Sequence, residues 1–363
     1  MDTPFEVVFP AIRGVQAHRE FYVSMCPMRL LPRLFLFNEE DLLPELRAQR
    51  TLNKGRIPDI AQYITDNRDS YTFSAITASI DGDVRFEAFG TTPEGKRIGV
   101  LHVPMASRFV INDGQHRRAA IEHALREKPD LADESIAVVF FLDIGLERCQ
   151  QMFADLNRYA VRPSPSIGVL YDHRDDAANI TRRVIAKLPL FKDLTEMASG
   201  SLSARSRKLF TLSALYAANN ALFSRDDEQP LSTRIDVAAN FWNEVARNIT
   251  DWNKVHERKL DAGEVRRDFL HSHGVILHAV GRVGRYLLHS EPHAWKKPLR
   301  QLAKIDWSKH NAELWEGRVL VGGRVSKGSS NVILAANLIK QRMDLPLTET
   351  EQATEEAFLR GQS

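Results

Sequence analysis

Five side chains able to hold phosphate or move a proton crowd one short stretch: Asp113, Gln115, His116, Arg117 and Arg118. A carboxylate, an amide, an imidazole and two guanidiniums together suit a polyphosphate or phosphodiester, because guanidinium forks match phosphate oxygens. The preceding Phe109, Val110 and Ile111 read as the end of a buried strand. Asn112-Asp113-Gly114 is a turn signal, since glycine permits positive φ and Asn or Asp tolerates it. Ala119, Ala120, Ile121 and Ala124 then open an apolar stripe at helical spacing. A strand turns sharply into a helix whose first amides lack backbone partners and, with the helix dipole, favour an anion. There Gly114, Arg117 and Arg118 would bind phosphate; were the turn an enzyme's, Asp113 would hold metal or orient water, and Gln115 or His116 would position the attacking water. Asp113, Gln115, His116 and Arg117 are thus the catalytic candidates. A structural reading of the same residues also stands, with Asp113 capping the helix and His116 and Arg117 bonding neighbouring carbonyls.

Two motifs carry a family resemblance. Residues 113–117 spell Asp-Gly-Gln-His-Arg, the motif of DGQHR-domain proteins. Gly114, Arg117 and Ala120 resemble the Gly-x-x-Arg-x-x-Ala box of the ParB/sulfiredoxin-like fold. Residues 157–163 (Asn-Arg-Tyr-Ala-Val-Arg-Pro) and 170–175 (Leu-Tyr-Asp-His-Arg-Asp) are similar to DndB, a family of bacterial DNA phosphorothioation systems. The resemblance implies an α/β (α+β) protein with an N-terminal mixed β-sheet of ParB-like type and a mainly helical C-terminal region. It also implies double-stranded DNA and other phosphorothioation-system proteins as partners, with control of the modification genes or of the extent of modification. By the same analogy Arg50, Asn53 and Arg56, in an early polar segment, are candidates for the nucleotide or phosphate pocket.

Composition sets the outer bounds. At 363 residues the chain is long enough for two compact domains. Apolar residues make up 43%, enough for a real core, and the mean hydropathy of -0.31 argues against a membrane protein. A net charge of +2 is too mild to argue for nucleic acid globally, so only local clusters carry that reading. Cys26 and Cys149 are far apart, without a CxxC partner, which speaks against a zinc site or a disulfide scaffold and for the reducing cytosol. The N-terminus has neither the basic nor the apolar region of a signal peptide, so a cytoplasmic location is expected. A homo-oligomer stays open.

The elements that must position the motif follow from local pattern. Residues 5–12 and 21–26 are strand candidates, the second ended by Pro27, and 28–37 reads as a strand leading to a helix. Residues 49–58 read as a basic loop, and residues 60–64 after it predict an amphipathic helix. Residues 71–89 read as a hairpin turning at Asp81-Gly82. Residues 98–103 and 136–143 are further strands, and the motif helix is expected to stop near Pro129. The chain from 177 on is expected to be mostly helical, with Trp252 in a connecting segment and Gly281 and Gly284 permitting close helix packing. The expected domains are 1–176, 177–347 and a flexible tail at 348–363.

Four basic stretches are candidate DNA contacts: Arg158 and Arg162; Arg205, Arg207 and Lys208; and Arg318, Arg324 and Lys327, besides the loop at 50–56. The glycine-rich stretch at 317–332 is expected to be flexible and is not a Walker A loop. Asp172, His173 and Asp175 are metal-ligand types, but a polar helix surface is the favoured reading. His271, His273 and His278 are spaced poorly for a metal, since residues two apart face different sides of a helix. No metal site is therefore assigned. The alternative function is a DNA-dependent nucleoside triphosphatase, with DNA nicking and a nucleotide carrying Mg2+. It lacks a P-loop lysine and a clear Walker-B strand, and would rest wholly on the motif turn.

Overall fold

The computed structural model describes residues 5–35, 55–142, 146–158, 163–224 and 227–361. Two compact units divide the chain, Met1–Val161 and Arg162–Ser363.

The first unit is built on a mixed seven-stranded sheet in the order β4-β5-β1-β2-β7-β3-β6. Its strands are β1 Glu6–Gln16, β2 Arg19–Pro27, β3 Ile76–Asp81, β4 Arg85–Ala88, β5 Ile98–Pro104, β6 Arg108–Asp113 and β7 Ser135–Phe141. Only the β3–β7 pair is parallel. Alternate residues turn one way, so Phe9, Ala11, Tyr22, Cys26, Ala78, Leu101, Val138 and Phe140 are buried while Val8, Ile12 and Met25 stay exposed. Helices α1 Arg56–Asp66 and α2 Gln115–Glu127 pack on each other and complete this core with Ala61, Ile64, Ala120, Ile121 and Ala124. A third helix, α3 Leu146–Arg158, packs on β6.

The expected hairpin at 71–89 does not form. The strands flanking Asp81-Gly82 pair with other partners, β3 with β6 and β7, β4 with β5. The turn instead crosses between opposite margins of the sheet. Five strand spacings, about 24 Å in a flat sheet, separate β3 from β4, yet Asp81 to Arg85 reaches at most about 14 Å. The link from β5 to β6 meets the same limit. The sheet must therefore curl until its two margins approach, as in an incomplete barrel. The Ser107 Oγ lies where a Cβ on Gly82 would be, which puts the two crossing turns in contact.

After β2 the chain makes a 3-10 turn and the short helix Leu31–Leu34 rather than another strand, with Pro32 in the first helical turn where its missing N–H costs nothing.

The second unit is helical. Its longer elements are α4 Pro165–Tyr171, α5 Asp176–Lys187, α6 Leu212–Leu222, α7 Leu231–Asn248, α8 Thr250–His256, α9 Ala262–Asp268, α10 Gly274–Ser290, α11 Ser329–Arg342 and α12 Glu349–Arg360. Trp242, Trp252, Trp315, Phe191, Phe210 and Phe241 are its largest fully buried side chains. Trp252 is thus a core residue of α8, not part of a connector. Close packing of α10 on α6 requires glycine: a Cβ on Gly281 would fall 2.2 Å from the Ala218 carbonyl oxygen, and one on Gly284 would meet Phe241 and Leu222. Residues 165–176, expected in the first domain, pack with this unit. Ser166 donates to the Ser199 carbonyl at 2.9 Å, and Val169 and Leu170 join the helical core.

The flexible tail expected after Leu347 is instead α12, started by a capping box of Thr348 and Glu351. Its buried Glu355 forms a two-pronged ion pair with Arg318 and accepts from Asn337 at 3.1 Å, while Glu351 accepts from Lys340 at 2.6 Å. Burial pushes the Glu355 carboxyl up, but its bonds to Arg318 and Asn337 outweigh that and leave its pKa below the ordinary value.

Two stability measurements check this frame. β1 and β2 pair down to Gln16 opposite Arg19, leaving Ala17 and His18 as a two-residue turn with φ of 50° and 62°. Replacing them by Asn and Gly should stabilise the protein by about 1 kcal/mol in urea unfolding, with an unchanged m-value. Glu355→Ala, which leaves Arg318 buried and unpaired, should cost about 3–5 kcal/mol. Because the folded-state pKa of Glu355 is depressed, its contribution is full above about pH 4.3, the unfolded value, and is lost as pH falls through the folded value. The variant should show a flatter acid limb than the wild type.

Candidate functional site

The turn between β6 and α2 is built around glycine. Gly114 has φ of +102°, and a Cβ there would lie 3.0 Å from both the Arg117 guanidinium and Ile76. This backbone conformation, closed to other residues without strain, lets Arg117 fold back over the turn. Its Nη2 donates to the Asp113 carboxylate at 2.7 Å and to the Ala75 carbonyl at 3.1 Å. Arg117 is therefore anchored at one nitrogen, and its buried Nε has no partner among the described residues.

Arg117 borders a cleft of about 450 Å³ with Arg56, Asp59, Ile60, Tyr63, Thr72, Phe73 and Ser74. Arg56, Ile60 and Tyr63 are at helical spacing on one face of α1, and Thr72 and Ser74 alternate along an extended segment. The Tyr63 phenol accepts from the Thr72 amide at 3.0 Å, tying segment to helix. His116 lies close to both cations: burial, then the charges of Arg56 and Arg117, hold its imidazole below its ordinary pKa. At neutral pH that imidazole is uncharged and can accept a proton. Two guanidiniums and two hydroxyls at one opening, with a neutral imidazole near both cations, fit an oxyanion such as a phosphate.

The other motif side chains face inward. Gln115 is buried, its amide directed at the Ile111 carbonyl at 3.4 Å. Arg118 is 7% exposed and bonds Glu122 at 2.6 Å and the Pro32 carbonyl at 3.3 Å, which makes it part of the scaffold. Arg50, Asn53 and Arg162 lie outside the described residues.

Sequence reading missed Tyr63, Thr72 and Ser74. The α1 face from Arg56 to Tyr63 carried a signal in its spacing. The partnership of Thr72 and Ser74 with that face depends on the chain path.

The basic residues of the second unit part into two groups. Arg205 and Arg207 are exposed on the loop before α6, and Lys208 is half-buried with its ammonium on the Asp193 carbonyl at 2.7 Å. This loop is held in shape from below by Arg266, which donates to the carbonyls of Ser203, Ala204, Ser206 and Lys208. Arg207 lines a cleft of about 610 Å³ with His256, Arg258 and Lys259. Arg258 has φ of 60°, which is costly for a residue with a side chain. Arg318, by contrast, is consumed by Glu355 inside the protein. Arg324 and Lys327 are exposed on and beside a hairpin, Leu320–Val321 with Arg324–Val325, turned by Gly322 and Gly323 at positive φ. The expected flexible stretch is thus an ordered hairpin. Arg158, at the end of α3, is exposed as well.

Asp172, Asp175, His271 and His273 are bound into the fold. Asp172 accepts the Arg174 and Asp175 amides, and Asp175 caps α5 through the Ala177 and Ala178 amides. Buried His271 accepts the Trp252 indole N–H at 3.1 Å. His273 bonds the Arg266 carbonyl, and burial lowers its pKa to about 4. Among the described residues no three His, Cys, Asp or Glu side chains gather to hold a metal, and no helix is long and apolar enough to cross a membrane.

Comparison with known proteins agrees with the resemblance in the motifs. A family model for DndB, described as DNA-sulfur modification-associated, matches residues 9–346, and the chain belongs to that family, with a role in DNA sulfur modification. No curated protein and no solved structure matches the chain.

The electrostatics of the cleft can be read directly. Arg56→Gln should raise the His116 titration midpoint toward the ordinary histidine value, followed by NMR of the imidazole. A midpoint that stays in place would separate His116 from the Arg56 end of the cleft.

Proposed function

We propose that this protein is a DNA-binding regulatory or accessory component of a DNA phosphorothioation system, controlling expression or extent of modification, and that Arg56 and Arg117 hold a backbone phosphate. The observation that carries this reading is the shared cleft of two guanidiniums beside a glycine turn whose backbone no other residue adopts without strain. The Asp113 and Ala75 anchors on Arg117 fix its direction, so little side-chain entropy remains to be lost on binding. Exposed Arg205, Arg207, Arg258 and Lys259 form a second basic surface suited to phosphates. Nothing in this set reads bases, so the affinity it supplies is sequence-tolerant and salt-dependent. Other proteins of the modification system are the expected protein partners.

A second reading, nucleoside triphosphate hydrolysis at the same cleft, is favoured by one observation, the neutral imidazole of His116 beside two cations. In that reading Arg56 and Arg117 would bind the triphosphate and His116 would take a proton from the attacking water. Gln115 has no part, since its amide is directed into the fold. Asp59 is the cleft carboxylate not committed to Arg117, so it would be the side chain to meet a nucleotide-bound Mg2+.

Duplex binding measured by fluorescence anisotropy over a salt series separates the two. In the DNA-binding reading, Arg117→Ala and Arg207→Ala each weaken binding uniformly across sequences and shrink the log–log salt slope by about one. Hydrolysis that is DNA-stimulated, lost in Arg117→Ala, and falling as His116 protonates at acid pH would favour the enzyme. Unaltered affinity and slope in both variants would sink the phosphate assignment.

A further inference from the structure

A cavity of about 750 Å³ in the helical unit opens between α6, α7, α10 and α11. Its size is within the range of small-molecule sites, about 300–1,000 Å³. One wall is cationic. Arg282 and Arg285, one turn apart on α10, both line it, and so does Lys340 from α11. Like charges at neighbouring positions on a helix face repel, so the pair costs the helix stability.

The acids nearby neutralise that wall only in part. Glu351 gives one carboxylate oxygen to Lys340 at 2.6 Å and to the Thr348 amide at 3.0 Å, which uses the Lys340 charge. Its other oxygen forms a looser ion pair with Arg282 at 3.8 Å, and Arg285 has no carboxylate partner among the described ion pairs. The buried Arg282 Nε has no partner among the described residues. Arg285 is aimed by its Nε–H bond to the Ala221 carbonyl at 2.8 Å, and its pKa is lowered by burial and by the charge of Arg282. The remaining acid in the lining, Asp227, accepts the Gln229 amide at 3.0 Å.

The lining is also aromatic. Phe223 and Trp295 line the cavity, and Trp295 has the Phe241 ring centroid 6.1 Å away and the Lys296 ammonium 5.4 Å from its own centroid. A ligand that answers both sets of side chains has a flat apolar body and a compact anion. We propose that this cavity is a binding site for a nucleoside phosphate, its phosphate on Arg282 and Arg285 and its base against Trp295. The inference is independent of the Arg56–Arg117 cleft, which belongs to the other compact unit.

The test is isothermal titration of the full-length protein with AMP and GMP, using adenosine and inorganic phosphate as controls. AMP or GMP should bind at least tenfold more tightly than either control. Arg282→Gln and Arg285→Gln should each weaken binding about tenfold or more, Arg285→Lys should recover part of it, and Trp295→Leu should weaken it severalfold. Localising the protection by hydrogen exchange to α10 rather than to the first unit keeps failure of the DNA reading and failure of this one distinct. In the wild type, hydrogen exchange should slow in α10 around residues 282–286 when nucleotide is added, a readout that needs no variant to fold. Absence of heat up to millimolar nucleotide would overturn the proposal. So would binding lost in Arg117→Ala but kept in Arg285→Gln, or protection confined to the first unit.

Discussion

Removing an ionised side chain from water costs several kcal/mol unless a partner of opposite charge goes with it, and this constraint sorts the many basic residues of the chain. Arg118 is buried because Glu122 and a backbone carbonyl are within reach. Arg318 and Lys340 are buried because α12 brings Glu355 and Glu351 to them. Each of these cations belongs to the scaffold. Arg56, Arg207 and Arg258 remain at openings, and Arg117 is held at one nitrogen only. The cations available for a ligand are those whose charge the fold has not already used.

The same reasoning explains the order of the motif turn. Gly114 permits the backbone to reverse, the reversal brings Arg117 over Asp113, and that ion pair fixes the guanidinium at the mouth of a cleft. His116 feels the result, since two cations and burial keep it neutral. A candidate phosphate site and a candidate proton acceptor thus arise from one local geometry, in a chain whose family has a role in DNA sulfur modification.

Much of the frame was legible in local pattern. The strand ending at Asp113, the helix from Gln115, the helical second half and the tight packing at Gly281 and Gly284 each followed from periodicity or residue size. The errors share a cause. Asp81-Gly82 is a good hairpin turn, but whether its flanks pair is decided by which other strands offer longer partners. Residues 348–363 look polar and free because the charges that bury Glu351 and Glu355 come from Lys340 and Arg318. Arg318 looked available for DNA for the same reason.

The sequence alone determined the family, the mixed sheet followed by helices, and the glycine turn with its charged cluster, because these rest on residue type and on spacing within a few turns of chain. Only the tertiary structure decided which cations are spent and which are offered. It joined Thr72 and Ser74 to the Arg56 face of α1, and it brought Arg282, Arg285 and Trp295 to the lining of one cavity. Those outcomes depend on burial and on partners far away in sequence, and Coulomb energy and desolvation are set by distance in space.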